Sequence, residues 1–419
     1  MTKPIAVIHT DALRREYPAN WVLGKGLEKL GYRVILTSRP TTSRLLRLFA
    51  PEVLILSHVF SLSGDELASL HKRGTRIYAN EVEGEIEGNE QGISGTYPEG
   101  IAYHLFEKIF TWSEWSAGWL VAKHKVDPGR VSAVGSTRLS LLKHITRKGA
   151  NRRIGVIGRF ELLNTFDGRH PFENLMSMDT GEIRGATYIQ RAMVEMDSFA
   201  VTTRVIEALV NKGLLVSIRP HPNESIKAYQ FLQRKYGPRL EVDGSHDYAG
   251  WLDGLSVVVG TLSSAFTEPY LLGIPIVSLD ALQNTNYTVS HLTPFVETFS
   301  QACYRPTSVL ELVQLCTDPR LEPVVNPVLN QQLAAIYSLD KHPNPIQEVL
   351  TLIGAPREGG AKNASDVLVG PTKGLMDIVV LLSCLLRDNP KVAYRTHQIY
   401  DYNSIIHSPS SFMKEISFL

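Results

Sequence analysis

Arg219 to Ser225 reads RPHPNES and follows directly on the apolar run Leu214–Ile218. A run of that kind predicts a buried strand, so Arg219, His221 and Pro222 fall at its carboxyl end. That is where open α/β sheets bind their ligands. An imidazole there can hydrogen-bond a phosphate oxyanion or protonate it as it leaves. A loop histidine between two turn prolines is the plainer reading. Arg219 suits a phosphate, or a carboxylate partner within the protein.

A second predicted strand, SVVVG at Ser256–Gly260, leads into Thr261, Leu262, Ser263 and Ser264 and a helix bearing Glu268. Small hydroxyls where a helix starts can cradle a phosphate, because free N–H groups and the helix dipole face the anion. Glu268, about one turn further on, could accept hydrogen bonds from a ribose. Ser263 is equally an ordinary helix cap. The two segments together suggest a site for a nucleotide mono- or diphosphate sugar.

Carboxylates supply the remaining chemistry. The stretch 81–87 reads EVEGEIE after a predicted strand, and Glu83 is the candidate general base because Gly84 allows a sharp turn beside it. The stretch 161–170 reads ELLNTFDGRH after another strand. Within it Asp167 and Glu161 are candidate nucleophiles, and Asn164 and Arg169 candidate donor contacts. A solvated loop is the alternative for each. Gly135 and Arg138, in GSTR at 135–138, end the last strand of the first half and are expected to line a cleft. Trp112 and Trp115 could stack on sugars or pack a helix onto the sheet.

The elements that hold these groups alternate. Apolar runs at 5–9, 33–37, 52–57, 76–79, 108–112 and 131–134 are separated by helical spacing at 13–30 and 65–72. After the polar stretch 146–153 a second set begins, with strands at 154–157, 215–218, 240–242, 257–259 and 276–279. Strand–helix alternation argues parallel sheets with crossover helices. Pattern alone reaches two α/β domains; two Rossmann-like, doubly wound domains facing a cleft, plus a C-terminal helical tail, would be the GT-B architecture, and that is the expected fold. The domains are drawn as 1–146 on the acceptor side, 152–350 for the donor, and 351–419 as linker and tail.

Composition excludes other classes. The chain has 419 residues and a net charge of +1, which gives no basic field for nucleic acid. Its three cysteines, Cys303, Cys316 and Cys384, are widely spaced and fit a reducing compartment. No run reaches the roughly 18 apolar residues that span a bilayer, and the N-terminus reads as a strand rather than a signal peptide. The expected location is cytoplasmic, with the tail as a candidate contact to the inner membrane or an assembly complex. Glycine fingerprints of dinucleotide and P-loop sites are absent. No metal and no cofactor are expected.

Taken in order, the segments YANEVEG (78–84), FTWSEW (110–115), VDPGRVSAVGSTRLSLL (126–142), LLNTFDGRH (162–170), IRPHPNES (218–225) and GTLSSAFTEPYLLGIP (260–275) resemble the bacterial surface-carbohydrate glycosyltransferases. That group includes the β-Kdo transferases of capsule and O-antigen assembly. The His-Pro and Ser-Ser pair is also similar to that of bacterial sialyltransferases and of CDP-glycerol phosphotransferases. The resemblance implies a cytidine nucleotide donor, CMP-Kdo foremost, and a lipid-linked glycan acceptor. It implies donor-phosphate contacts at His221, Pro222, Ser263 and Ser264. It matches Glu83 and Gly84 to an acidic-acidic-Gly motif in which Val82 replaces the first acid. Arg219, Arg169 or Arg138 would suit the carboxylate of Kdo. A CDP-alditol phosphotransferase and a non-catalytic binding subunit remain as alternatives.

Overall fold

The computed structural model describes residues 3–83, 89–145, 153–165, 170, 182–283 and 294–357. They divide into two units, Met1–His144 with Gln331–Leu419, and Ile145–Asn330. The expected donor domain ran to residue 350. The structure instead gathers residues 331–357 with the first unit.

In the first unit six parallel strands stand in the order β2-β1-β3-β4-β5-β6. They are β1 Ile5–Thr10, β2 Arg33–Ser38, β3 Val53–Leu56, β4 Arg76–Asn80, β5 Lys108–Thr111 and β6 Val131–Ala133. Runs such as IAVIHT and VLIL are apolar nearly throughout because helices cover both faces of such a sheet. The helix Gly64–Lys72 shows the local rules plainly. Ser63 and Glu66 form a capping box at its start, and Gly74 takes a positive φ just after its end.

The returning segment is fastened firmly. In helix Pro345–Ile353, Leu350 fills the notch at Gly26 of helix Leu13–Lys29, so closely that a Cβ there would lie 2.3 Å from Leu350 Cδ1. Arg76 is paired with Glu52 at 2.9 Å and donates to the Ile353 carbonyl at 2.9 Å. Arg357 bonds Glu107 at 2.8 Å. The rest of the expected tail lies outside the described residues.

In the second unit five parallel strands stand in the order β11-β10-β7-β8-β9. They are β7 Arg153–Ile157, β8 Leu215–Arg219, β9 Leu240–Val242, β10 Leu255–Gly260 and β11 Ile276–Ser278. The order makes the sheet doubly wound, with its switch point between β7 and β10. The ends are level: Ile157 pairs with Arg219 on one side and Gly260 on the other. The loops after β7, β8 and β10 therefore emerge side by side. Two Rossmann-like units in one chain make the fold GT-B-like.

Candidate functional site

In the second unit, one buried carboxylate organises the loops at the switch point. Glu224 is fully buried. Its Oε1 accepts from the backbone N–H of Phe160 at 2.7 Å and of His221 at 3.1 Å. Its Oε2 accepts from Asn164 Nδ2 at 3.3 Å and from the Tyr229 hydroxyl. Burial pushes this carboxyl above its ordinary value, against the four hydrogen bonds that favour the charge. Asn164 also donates to the Ser225 carbonyl at 2.9 Å. It is thus a strut between the β7 and β8 loops, where the sequence reading made it a donor contact.

His221 sits on this support, with about a third of its side chain exposed. Its Nδ1 lies 3.4 Å from Glu161 Oε2 and 3.3 Å from the N–H of Asn223. Asn223 Nδ2 also donates to Glu161 at 3.2 Å. With Nδ1 accepting from Asn223, the neutral ring carries its hydrogen on Nε2; the protonated ring carries one there too. Nε2–H is therefore a donor in both states. Glu161, a candidate nucleophile in the sequence, here accepts from Asn223, whose backbone N–H meets the ring, and pairs with His221 itself when the imidazole is protonated.

Arg219 does not offer its guanidinium as a loose phosphate ligand. It is buried, ion-paired with Asp243, bonded to the Ser245 carbonyl at 2.9 Å, and stacked over Tyr248 and Trp251. At the end of β10, Thr261 and Ser263 are half-buried and Ser264 is exposed. Ser263 caps the turn by accepting from Ala265 N at 3.3 Å. The expected helix begins as a 3-10 turn, Ser264–Phe266, and its α-helical part is only Thr267–Leu271. Glu268 is buried within it, not displayed at the strand end. Asp280, which the sequence reading passed over, follows β11 and accepts from Leu262 N at 3.4 Å. Asp167 and Arg169 lie outside the described residues.

In the first unit the switch point falls between β1 and β3 and carries a denser group that no sequence motif announced. Ser57 Oγ donates to Glu16 Oε2 at 2.7 Å, and Glu16 also accepts from the backbone of Asp11 and Ala12 at 2.8 and 2.9 Å. Arg15 bridges Glu16 at 3.0 Å and Glu83 at 2.6 Å. Arg39 reaches Asp11 Oδ1 at 3.3 Å. His58 binds Glu81 through Nδ1 at 3.2 Å and points Nε2 toward Asp11 Oδ2 at 4.0 Å. Burial pulls the His58 pKa down, but Glu81, Glu16 and Asp11 outweigh it and push it to about 9. Burial leads in lowering His9 to about 4. For Asp11, burial and then Glu16 raise the carboxyl against Arg39 and His58.

Asp11, Glu16 and His58 bring ligand atoms within 4.8 Å of one another, as a metal site would. Their partners argue otherwise. Glu16 is occupied by four donors and Arg15, Arg39 and a protonated imidazole already balance the carboxylates. Glu83, chosen from the sequence as general base, is mostly exposed and held by Arg15; the buried acid is Glu81, two residues earlier. Gly135 is buried under Tyr337, His342 and Pro345 rather than lining an opening. Arg138 is half-buried. Trp112 is buried, stacks on Tyr337 and donates to the Glu81 carbonyl at 2.8 Å, whereas Trp115 is exposed.

Fold and loops together define a GT-B-like α/β protein with polar groups at two switch points. No protein-family model matches the chain, and no curated protein matches it. Among solved structures it is similar to the S. aureus MnaA–UDP co-structure, at 14% identity over 85% of this chain and 99% of that one, with a TM-score of 0.45. It is similar to the Neisseria meningitidis UDP-GlcNAc 2-epimerase bound to UDP-GlcNAc, at 10% identity over 83% and 98%, TM-score 0.44. It is also similar to the wall teichoic acid polymerase TagF, at 10% identity over 84% and 89%, TM-score 0.43. Among the described residues no helix is long and apolar enough to cross a membrane.

Proposed function

We propose that the protein is a glycosyltransferase that uses a cytidine-activated sugar, CMP-Kdo first among them, to extend a bacterial surface glycan on a lipid-linked acceptor. One observation carries the reading. His221 and the Ser263–Ser264 pair follow strands β8 and β10, which flank β7 in level register at the switch point of the second sheet. In this reading the nucleotide phosphate meets Nε2–H of His221 and the hydroxyls of Ser263 and Ser264 as its charge develops. Glu161 supports the neutral imidazole through Asn223 and pairs with it once it is protonated. CMP leaves as a phosphate monoester, so these donors serve without a resident metal. Asp167 is the candidate nucleophile should transfer retain configuration.

The test is nucleotide release from CMP-Kdo, CDP-glycerol and UDP-GlcNAc, offered separately with acceptor glycan. CMP from CMP-Kdo is the expected product, slowed roughly 10²–10³-fold in His221→Ala. CMP from CDP-glycerol instead would mark an alditol-phosphate transferase. UDP release without CMP release would remove the cytidine assignment. Cytidine nucleotide binding with no release from any donor would mark a non-catalytic subunit.

A further inference from the structure

The second unit carries a surface that the donor reading leaves unused. We infer that the outer face of its helices Glu182–Asn211 and Gln230–Tyr236 docks on an anionic lipid surface, with Met193, Met196 and Phe231 entering the headgroup layer and Arg204, Arg234 and Lys235 meeting its phosphates. None of these residues is a donor contact, so this inference and the nucleotide reading fail separately.

The first argument is that helix Glu182–Asn211 has two apolar lines and only one core to cover them. Val201, Val205, Ile206 and Leu209 are buried in the second unit's core. Glu195, on the same side, is buried and receives the N–H groups of Leu162 and Leu163 at 2.9 and 3.4 Å. That line seats the helix on the sheet. On the opposite side Ile189, Met193 and Met196, spaced by four and then three residues, are 55%, 55% and 50% exposed. A surface helix keeps one apolar stripe, for the core, and a second stripe calls for a cover of its own.

Continuity is the second argument. Arg204 is exposed and continues the Met196 line about two turns further on. Glu207, one turn beyond it, meets Lys235 of the neighbouring helix at 3.0 Å. On that helix Phe231 is 47% exposed and shares a face with Arg234 and Lys235, three and four residues later. The two helices therefore present one surface.

Charge selects the partner. Between 204 and 241 the exposed cations are Arg204, Lys212, Lys227, Arg234, Lys235 and Arg239, while the acids in reach of solvent are Glu207 and Glu241. Glu207 takes Lys235, and Glu241 takes Arg153 at 3.0 Å. The whole chain carries only +1, so the cations are gathered here rather than spread. A second copy of this chain would set cation against cation. Nucleic acid would meet the cations and leave the methionines in water. An anionic bilayer offers phosphates to the first and its acyl boundary to the second.

The experiment is sedimentation of the intact protein with vesicles of phosphatidylethanolamine and phosphatidylglycerol, with phosphatidylcholine vesicles as control. Urea unfolding and CMP titration on the same preparations report fold and donor site separately. Wild type is expected to bind the anionic vesicles at low salt, and at least about ten-fold more weakly at high salt or on phosphatidylcholine. Met193→Ser combined with Met196→Ser should bind at least about ten-fold more weakly. So should Arg234→Ala combined with Lys235→Ala, since each cation near such a surface is worth roughly five-fold. All four side chains are exposed, so both variants keep the wild-type urea midpoint. Vesicle binding by either variant within about three-fold of wild type would overturn the surface. A wild type that binds no anionic vesicle, or binds phosphatidylcholine equally, would do the same. Three other results would also overturn the lipid assignment. A wild-type dimer that the methionine variant dissociates in light scattering gives the face to a second copy. A lowered urea midpoint in that variant, with vesicle binding intact, gives it to another segment of this chain. Tighter binding of single-stranded RNA than of vesicles gives it to nucleic acid.

Discussion

Removing the carboxylate of Glu224 should collapse the support under His221. In Glu224→Ala the N–H groups of Phe160 and His221, the Tyr229 hydroxyl and the Asn164 amide lose their shared acceptor. A buried donor left without a partner costs about 1–3 kcal/mol. Three such losses, the two backbone groups and the tyrosine, sum to about 4–6 kcal/mol once partial relaxation is allowed for. The second unit runs from Ile145 to Asn330. In a domain of that size the loss lowers Tm by roughly 10–20 °C. Tyr229→Phe deletes one donor and leaves the carboxylate satisfied elsewhere, so it should cost only about 1 kcal/mol. Differential scanning calorimetry of both variants measures the contrast, and CMP titration reads the site above it. The pH dependence has a definite sign. Burial raises the Glu224 carboxyl, so the folded chain holds a proton that the unfolded chain releases earlier. That contribution is complete below the unfolded value and is lost as pH rises through the raised one. Glu224→Gln should flatten this part of the stability curve. A Glu224→Ala protein melting within about 3 °C of wild type and binding CMP normally would refute the account.

Three further outcomes follow from other contacts. Between pH 6.5 and 9, stability of the first unit should fall by a few kcal/mol as His58, raised to about 9, loses the proton that Glu81 favours; urea unfolding of His58→Gln should show that slope removed, and an unchanged slope would place the titration elsewhere. His9, lowered to about 4, is neutral in the folded chain across that window and adds only a small opposing rise near pH 6.5, where the unfolded ring is half protonated. Gly155→Ala would put a Cβ 2.4 Å from Leu255 Cδ1 and 2.9 Å from Trp251, and overpacking of this kind costs about 1–3 kcal/mol by denaturant titration; an unchanged midpoint would contradict the close fit. A chain ending at Gly354 should remain folded, whereas one ending before Pro345 loses the Leu350 contact at Gly26 and the Arg76 bond to Ile353, and should aggregate or melt early in a thermal shift assay.

Much of the fold is legible along the chain because a strand buried on both faces must be apolar end to end. The runs at β1, β3, β8 and β10 have few other readings, and their lengths place His221 and Ser263 at strand ends without any tertiary knowledge. What the runs omit is partnership. The helix Pro345–Ile353 carries an apolar face, but periodicity says only that the face must be covered, not that Gly26 and Arg76 of the first unit cover it. Position in sequence assigned it to the wrong unit.

The same limit separates the two ends of the candidate chemistry. Arg219 beside His221 looks like a phosphate ligand until β9 pairs with β8, and Asp243, which follows β9, takes the guanidinium. Glu81 and Glu83 are indistinguishable as letters. Chain direction after β4 buries the first against His58 and leaves the second in solvent with Arg15. The group of Asp11, Glu16, Ser57, His58 and Glu81 has no local signature, since its members come from the ends of β1, β3 and β4 and the first turn of a helix. The sequence determined that these strands would form and where each would stop. Only the hydrogen-bonded order β1-β3-β4 brought their ends together. That order is set by packing between distant segments, and no short window of residues contains it.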